Sequence, residues 1–309
     1  MPVSPQKQSP RPPARTPPNG KPGSVLSRAV DVSTLKAGPI KFGVYGPNRV
    51  GKTTLACTFP KPLLLVSVEP DRTGGADSVK GVEGVSLVQP ATVDEFRQLA
   101  GELTAGGHGF VGVVVDSATS LADMVLRKLL GLEDDPTMIK YGQVSRQTYM
   151  DRAEETRNLL RPFMNLPLDV VVTAKEKDHN PEKGDGAKPK IVHGKFAEAR
   201  IESFFSFDAA GSGTAGWLAD CCGLIGRLYV DKEVKAHPVL LNGKPVVDKE
   251  TGEPKVRYEE TGRYVRRLLT QLHPNFAAGV RGRPENVPPY IEEPTYEKIR
   301  AVIDGTYGP

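Results

Sequence analysis

"KFGVYGPNRVGKTTLACTF", residues 41–59, decides how the rest of the chain is read. At its centre Gly46, Pro47, Asn48, Arg49, Val50, Gly51, Lys52, Thr53 and Thr54 fit G-x-x-x-x-G-K-[ST]. The pattern works through geometry. Glycines let the backbone wrap an anion closely, and the N–H groups that open the following helix aim at it from the positive end of the helix dipole. An apolar strand is expected over 40–45 and a helix over 53–59, the context the motif needs. Residues 46–54 would then cradle the phosphates of a nucleoside triphosphate, with Lys52 on the β/γ-phosphates and the Thr53 hydroxyl on Mg²⁺.

Outward from this loop the texture alternates. Residues 61–69, 109–117 and 168–177 are short apolar runs, rich in Val and Leu, that read as buried strands. Between them 91–106, 119–131 and 145–166 read as helices, the first opened by a Thr92-to-Glu95 capping box. The expected fold class is therefore α/β, a mainly parallel sheet covered by helices on both faces. Residues 231–262 carry turn signals at 241–244 and 250–252 and suggest a C-terminal β-hairpin region. A further strand is expected at 262–271 and a short helix near 295–304.

The domain plan that follows has three parts. Residues 1–38 form a basic, proline-rich arm expected to be disordered, either a solubilising tail or a partner-binding segment. Residues 39–275 form the ATPase core, with long loops or hairpins at 178–213 and 231–262, and 276–309 form a C-terminal extension.

At 38% hydrophobic and 25% charged residues the composition is that of an ordinary globular chain. No run of about eighteen apolar residues exists, so no membrane span is expected. Cys57, Cys221 and Cys222 lack metal-site or disulfide-framework spacing, and the N-terminus lacks a secretory pattern. A reducing cytoplasmic setting is the expectation. The net charge of +4 permits nucleic-acid binding without demanding it.

Two acids complete the candidate site. Asp116 ends the valine strand "VGVVVD", where a carboxylate would stand beside the loop and help hold the metal. Glu69 ends "LLLVSVE"; it is either the group that activates water or a solvated strand-end acid. Lys175, Glu176 and Lys177 follow another strand, where a polar side chain either senses the γ-phosphate or faces water. Arg266 and Arg267 alternate on a strand, so one of them either reaches a neighbouring subunit's nucleotide or both belong to a solvated basic edge.

On these residues, together with "VVVDSATSL", "LLRPFMNLPLDVVVTAKEKDHN" and "HPNFAAGVRGRP", the chain resembles phage-encoded RecA-like P-loop ATPases, an AAA-family group that includes single-strand annealing proteins. The similarity runs over about residues 39–284. It implies a RecA-like core, ATP and Mg²⁺ as cofactors, a homo-oligomer with nucleotide at subunit interfaces, and single-stranded DNA as partner. It places the phosphate loop at Gly46, Gly51, Lys52 and Thr53, the second motif at Asp116, the catalytic glutamate at Glu69, and the basic interface strand at Arg266 and Arg267. The family often has a histidine where Lys175 stands. The stretch 178–213 falls where such proteins place a DNA-binding loop, but it mixes five cations with six acids. Its Phe196, Phe204, Phe205 and Phe207 suit either base stacking or core packing.

The reading implied is a Mg²⁺-dependent ATPase acting on single-stranded DNA in annealing or strand exchange, its turnover stimulated by that DNA. The alternatives are a P-loop switch acting on a protein partner without DNA and a small-molecule kinase.

Overall fold

The computed structural model describes residues 30–31, 38–69, 75–132, 144–178, 205–210, 212–241, 244–247, 254–281 and 287–308. Most of the N-terminal arm and most of the 178–213 stretch, with the side chains of all four phenylalanines named there, lie outside the described residues. The fold below is that of the unit Pro39–Pro309.

Its frame is a sheet of ten described strands. In chain order the elements around the loop are β1 (Lys41–Gly46), α1 (Lys52–Ala56), β2 (Leu63–Ser67), a 3₁₀ turn (Gly75–Val79), β3 (Val85–Val88), α2 (Val93–Ala105), β4 (Gly112–Asp116), α3 (Ala118–Leu129), α4 (Arg146–Asn165) and β5 (Asp169–Asp178). They are followed by β6 (Phe205–Phe207), α5 (Ser212–Cys221), β7 (Leu224–Pro238), β8 (Leu240–Leu241), β9 (Lys244–Pro245), β10 (Val256–Leu269), β11 (Gly279–Val280), β12 (Tyr290–Glu292) and α6 (Tyr296–Ile303). The sheet runs β12-β10-β7-β1-β5-β4-β2-β3, parallel from β7 to β3, with β10 and β12 antiparallel at one edge. This is the α/β class expected from the alternation of elements. Strand β5 inserts between β1, which leads into the loop, and β4, which ends in Asp116.

The valine runs are explained by burial on both faces. Val113 and Val115 pack in one apolar cluster with α2, α3, α4 and α5, while Val114 packs in the other with α1 and α6. Successive side chains of a strand point to opposite faces, so a strand covered on both sides has to be apolar throughout. Helix α2 is capped as the sequence suggests: the Thr92 hydroxyl accepts from the Glu95 amide at 3.2 Å. The Glu95 carboxylate in turn accepts from the amide of Ala91 at 2.7 Å, one residue before the cap.

Three departures matter. The helix expected over 53–59 stops at Ala56, because the Thr58 hydroxyl turns back to the Leu55 carbonyl (2.7 Å) and Phe59 drops into the core. The hairpin region is one long arm: β7 and β10 pair from Arg227–Leu269 out to Pro238–Val256, and the β8–β9 pair follows at 240–245. Third, residues 276–309 are woven into the same unit instead of extending from it. Strand β12 pairs with β10, and α6 buries Ile299 and Val302. Tyr296 meets the Phe59 ring edge-on at 5.0 Å, and its amide donates to the Thr58 hydroxyl at 2.9 Å. Burial of these apolar residues is what binds the tail to the core.

Candidate functional site

The loop after β1 needs its glycines for two different reasons. A Cβ on Gly46 would sit 2.1 Å from the Leu228 carbonyl oxygen, because β7 lies tight against β1. Gly51 caps α1 in the left-handed region at φ +92°, where a side chain strains the backbone. Lys52 folds back over the loop, its Nζ donating to the carbonyls of Gly46 (2.9 Å) and Pro47 (2.7 Å). Burial holds its pKa below the ordinary lysine value, opposed by the nearby charges of Asp116 and Glu69.

Period-two geometry builds the floor of the site. Leu65 of β2, Val114 of β4 and Val171 of β5 face the cluster that contains α1. Two residues further along each strand, on the same face, come Ser67, Asp116 and Thr173. Three neighbouring strands thus present a polar row where their apolar runs end. Asp116 is 3% exposed; it accepts from the Thr53 hydroxyl at 2.8 Å through Oδ2 and from the Thr173 hydroxyl through Oδ1. Ser67 lies beside it in register, and the Val68 amide donates to the Asp116 carbonyl at 2.8 Å. Glu69 follows directly, its Oε2 accepting from the Gly75 amide at 3.0 Å. That bond brings the 3₁₀ turn over the floor, so that a Cβ on Gly75 would lie 2.4 Å from Asp116 Oδ2 and 2.5 Å from Thr53 Oγ1.

The remaining expected residues are placed as follows. Lys175 stands opposite Gly46 in the β1–β5 register, with its side chain exposed; its amide donates to the Thr119 hydroxyl at 2.9 Å. Glu176 is ion-paired with Arg227, and Lys177 lies 3.6 Å from Asp208. Arg266 abuts the loop of its own chain: its Nη1 is 3.2 Å from where a Cβ of Gly51 would be, and Glu293 accepts from its Nε (3.0 Å) and Nη2 (2.9 Å). Arg267, on the other face of β10, is 9% exposed. It is held by Asp231 (2.8 Å) and Glu292 (3.3 Å) and lies over the Tyr290 ring at 4.6 Å. Both arginines therefore have partners within their own chain.

Thr173, Ser67, Gly75 and Glu293 are site residues that no motif named. The first two did leave a trace, a single hydroxyl in each of the apolar runs "VVVTA" and "LLLVSV".

The donor set suits a hard cation. A hydroxyl and a carboxylate are the oxygen ligands Mg²⁺ takes, and Gly75 approaches both so closely that no side chain fits there. Among the described residues no group of three His, Cys, Asp or Glu forms a metal cluster, so protein ligands alone would not cage an ion. A groove of about 610 Å³ lies elsewhere, between α2 and α4. Its lining sets Ala100, Leu159, Pro162 and Leu166 beside the Arg97–Glu155 ion pair, away from the phosphate loop, and the chemistry points to the strand ends instead.

A phosphate loop between strand and helix, a strand-end acid bonded to the loop's threonine, and a second acid one strand over define a P-loop ATPase. The particular family follows from the sequence: residues 38–205, more than half of the chain, match the AAA_24 family, described as an AAA domain, and the chain belongs to it. No curated protein matches the chain by sequence. Solved structures similar to it include the RadB recombinase, at 15% identity and a TM-score of 0.33 over 76% of this chain and 89% of that one. The flagellar accessory protein FlaH from Methanocaldococcus jannaschii is similar at 7% identity and a TM-score of 0.29, over 75% and 79% of the two chains. At such scores these likenesses add nothing to the assignment, which rests on the sheet order, the loop and the family match. No described helix is long and apolar enough to cross a membrane.

Proposed function

We propose that the chain hydrolyses ATP with Mg²⁺ and couples this to assembly on single-stranded DNA, in annealing or strand exchange of the phage type. One observation carries the ATPase part: the Thr53 hydroxyl bonds Asp116 at 2.8 Å, and Gly75, whose amide holds Glu69, closes over both. Loop, metal-side acid and water-side acid thus share one rim of one sheet.

In this reading the loop amides and Lys52 bind and orient the phosphates, and Thr53 with Asp116 would hold the metal. Mg²⁺, when bound, would neutralise charge on the phosphate oxygens. Glu69 takes the proton of the attacking water, and the Gly75 amide keeps its carboxylate turned to the rim. Arg266, against Gly51, supports a role on the chain's own nucleotide in place of the trans role expected from sequence; Arg267 is committed to the sheet edge.

The DNA partner and the homo-oligomer rest on the resemblance over 39–284, and so does the recombination role. The β7–β10 arm favours a second reading, in which the ATPase acts on a protein. Val230, Val234, Val256, Tyr258 and Tyr264 are exposed along the arm, and Lys232 is paired with Glu260. Exposed apolar and tyrosine side chains with compensated charge suit a protein surface better than a polyphosphate backbone.

Phosphate release measured with and without single-stranded DNA separates the two. Stimulation that fades as salt rises supports the DNA reading. Turnover indifferent to saturating DNA refutes it and leaves the protein-partner reading, while no ATP turnover under any condition refutes both.

A further inference from the structure

Ser67 is 1% exposed, and its hydroxyl has no hydrogen-bond partner among the described residues. A buried hydroxyl in that position has given up water without replacement, which folded chains seldom tolerate without a reason. Its location supplies one. It is paired in register with Asp116, on the same face of the sheet, and therefore faces the side where Thr53 meets Asp116 and where Gly75 closes in. The neighbouring polar groups are already employed: Thr53 and Thr173 both donate to Asp116, and the Gly75 amide donates to Glu69.

Mg²⁺ gives up its water shell reluctantly and keeps several waters when bound to protein. A chamber for such an ion needs polar walls for those waters as well as ligands for the metal. We propose that the Ser67 hydroxyl holds a water of the hydrated metal ion, and that Gly75 is a glycine because its backbone packs directly against the two oxygens of the metal-side pair. Both are positioning residues, and the inference rests on the reading of Thr53 and Asp116 as the metal-side pair. The steric half is direct: a methyl group at position 75 would stand 2.4 and 2.5 Å from the two oxygens that face the ion.

The test uses the full chain as wild type, Ser67→Ala and Gly75→Ala. Binding of a fluorescent ATP analogue is titrated with MgCl₂ and repeated in EDTA, and thermal melts are taken without nucleotide. Ser67→Ala removes one buried unpaired oxygen, so its melting temperature should equal or exceed that of wild type. Its half-saturating Mg²⁺ concentration should rise roughly 10- to 100-fold, with EDTA affinity unchanged. Gly75→Ala should shift the Mg²⁺ requirement in the same direction.

Identical Mg²⁺ curves for Ser67→Ala and wild type overturn the proposal. So does an equal loss of affinity with and without Mg²⁺, which would mark Ser67 as structural. If Gly75→Ala does not fold, Ser67→Ala alone decides. Wild type binding ATP without any response to Mg²⁺ would instead remove the Thr53–Asp116 reading, and this inference with it.

Discussion

Replacing Lys52 by alanine should separate stability from binding. In the folded chain the ammonium makes two charge-assisted bonds, at 2.9 and 2.7 Å, to the Gly46 and Pro47 carbonyls. Such bonds contribute about 1.5–3 kcal/mol each, but the same burial that shapes the loop depresses the Lys52 pKa and so opposes its charge. The Pro47 contact is exposed, so water can take over that carbonyl when the lysine is gone. Bonding and burial oppose each other, and Lys52→Ala should change folding stability by only about 1 kcal/mol.

Binding has no such cancellation. Two bonds from the ammonium to phosphate oxygens are worth about 3–6 kcal/mol gross, less about 1 kcal/mol for each carbonyl bond released. The remainder, about 1–4 kcal/mol, predicts a Kd for Mg·ATP weakened roughly 5- to 1,000-fold. Urea unfolding gives the first quantity and isothermal titration calorimetry the second. A variant that unfolds several kcal/mol more easily would make Lys52 a structural residue, and one that binds Mg·ATP as wild type does would mean the loop is not a phosphate site.

Further expectations follow from other parts of the fold. Glu69→Gln should keep ATP affinity yet lower turnover by roughly 10²- to 10⁴-fold, measured as single-turnover phosphate release; turnover at the wild-type rate would remove the water-activating role. Phe59, 1% exposed and in ring contact with Phe42 and Tyr296, should cost about 3–5 kcal/mol on truncation to alanine, read from urea midpoints. Burial lowers the Lys41 pKa to about 8 from 10.5, against the opposing pull of Asp169, so between those values the unfolded chain holds more protons than the folded one. Stability of wild type relative to Lys41→Met should therefore rise with pH across that window, and a flat difference would mean that Lys41 keeps an ordinary pKa.

Much of the frame was legible because its signals are local. The glycine and lysine spacing at 46–53 announces its own strand and helix, and Thr92 with Glu95 starts α2 within one residue of where it begins. Strand β3 left no comparable mark: "VSLV" is a half-exposed strand at the sheet edge with neither strict alternation nor full burial. The three residues of β12 are too few to carry a period. In the site, Asp116 and Glu69 were readable as acids that end apolar runs. Ser67, Thr173 and Gly75 were not, because their meaning comes from strand order. Only when β2, β4 and β5 lie side by side do their last inward-facing residues form one row. Arg266 shows the same limit from the other side: its strand was expected, but its place against Gly51 depends on β10 and β7 folding back beside β1.

That dependence also shapes how the rim would respond to its ligands. Lys52 is bonded to loop carbonyls, Asp116 to two hydroxyls and Glu69 to a backbone amide, so none of the three charges is left buried and unpaired. In the proposed reading an incoming polyphosphate would compete for the first set of bonds and a cation for the second, while the third would persist, because Glu69 has to be held and not neutralised. The anion and the cation would therefore exchange different bonds. Metal-free ATP would displace only the lysine contacts, and a cation alone would find a carboxylate already satisfied by Thr53 and Thr173. Tight binding would then favour the pair together, since phosphate oxygens and retained waters would supply the oxygen ligands that a hydroxyl and one carboxylate leave missing.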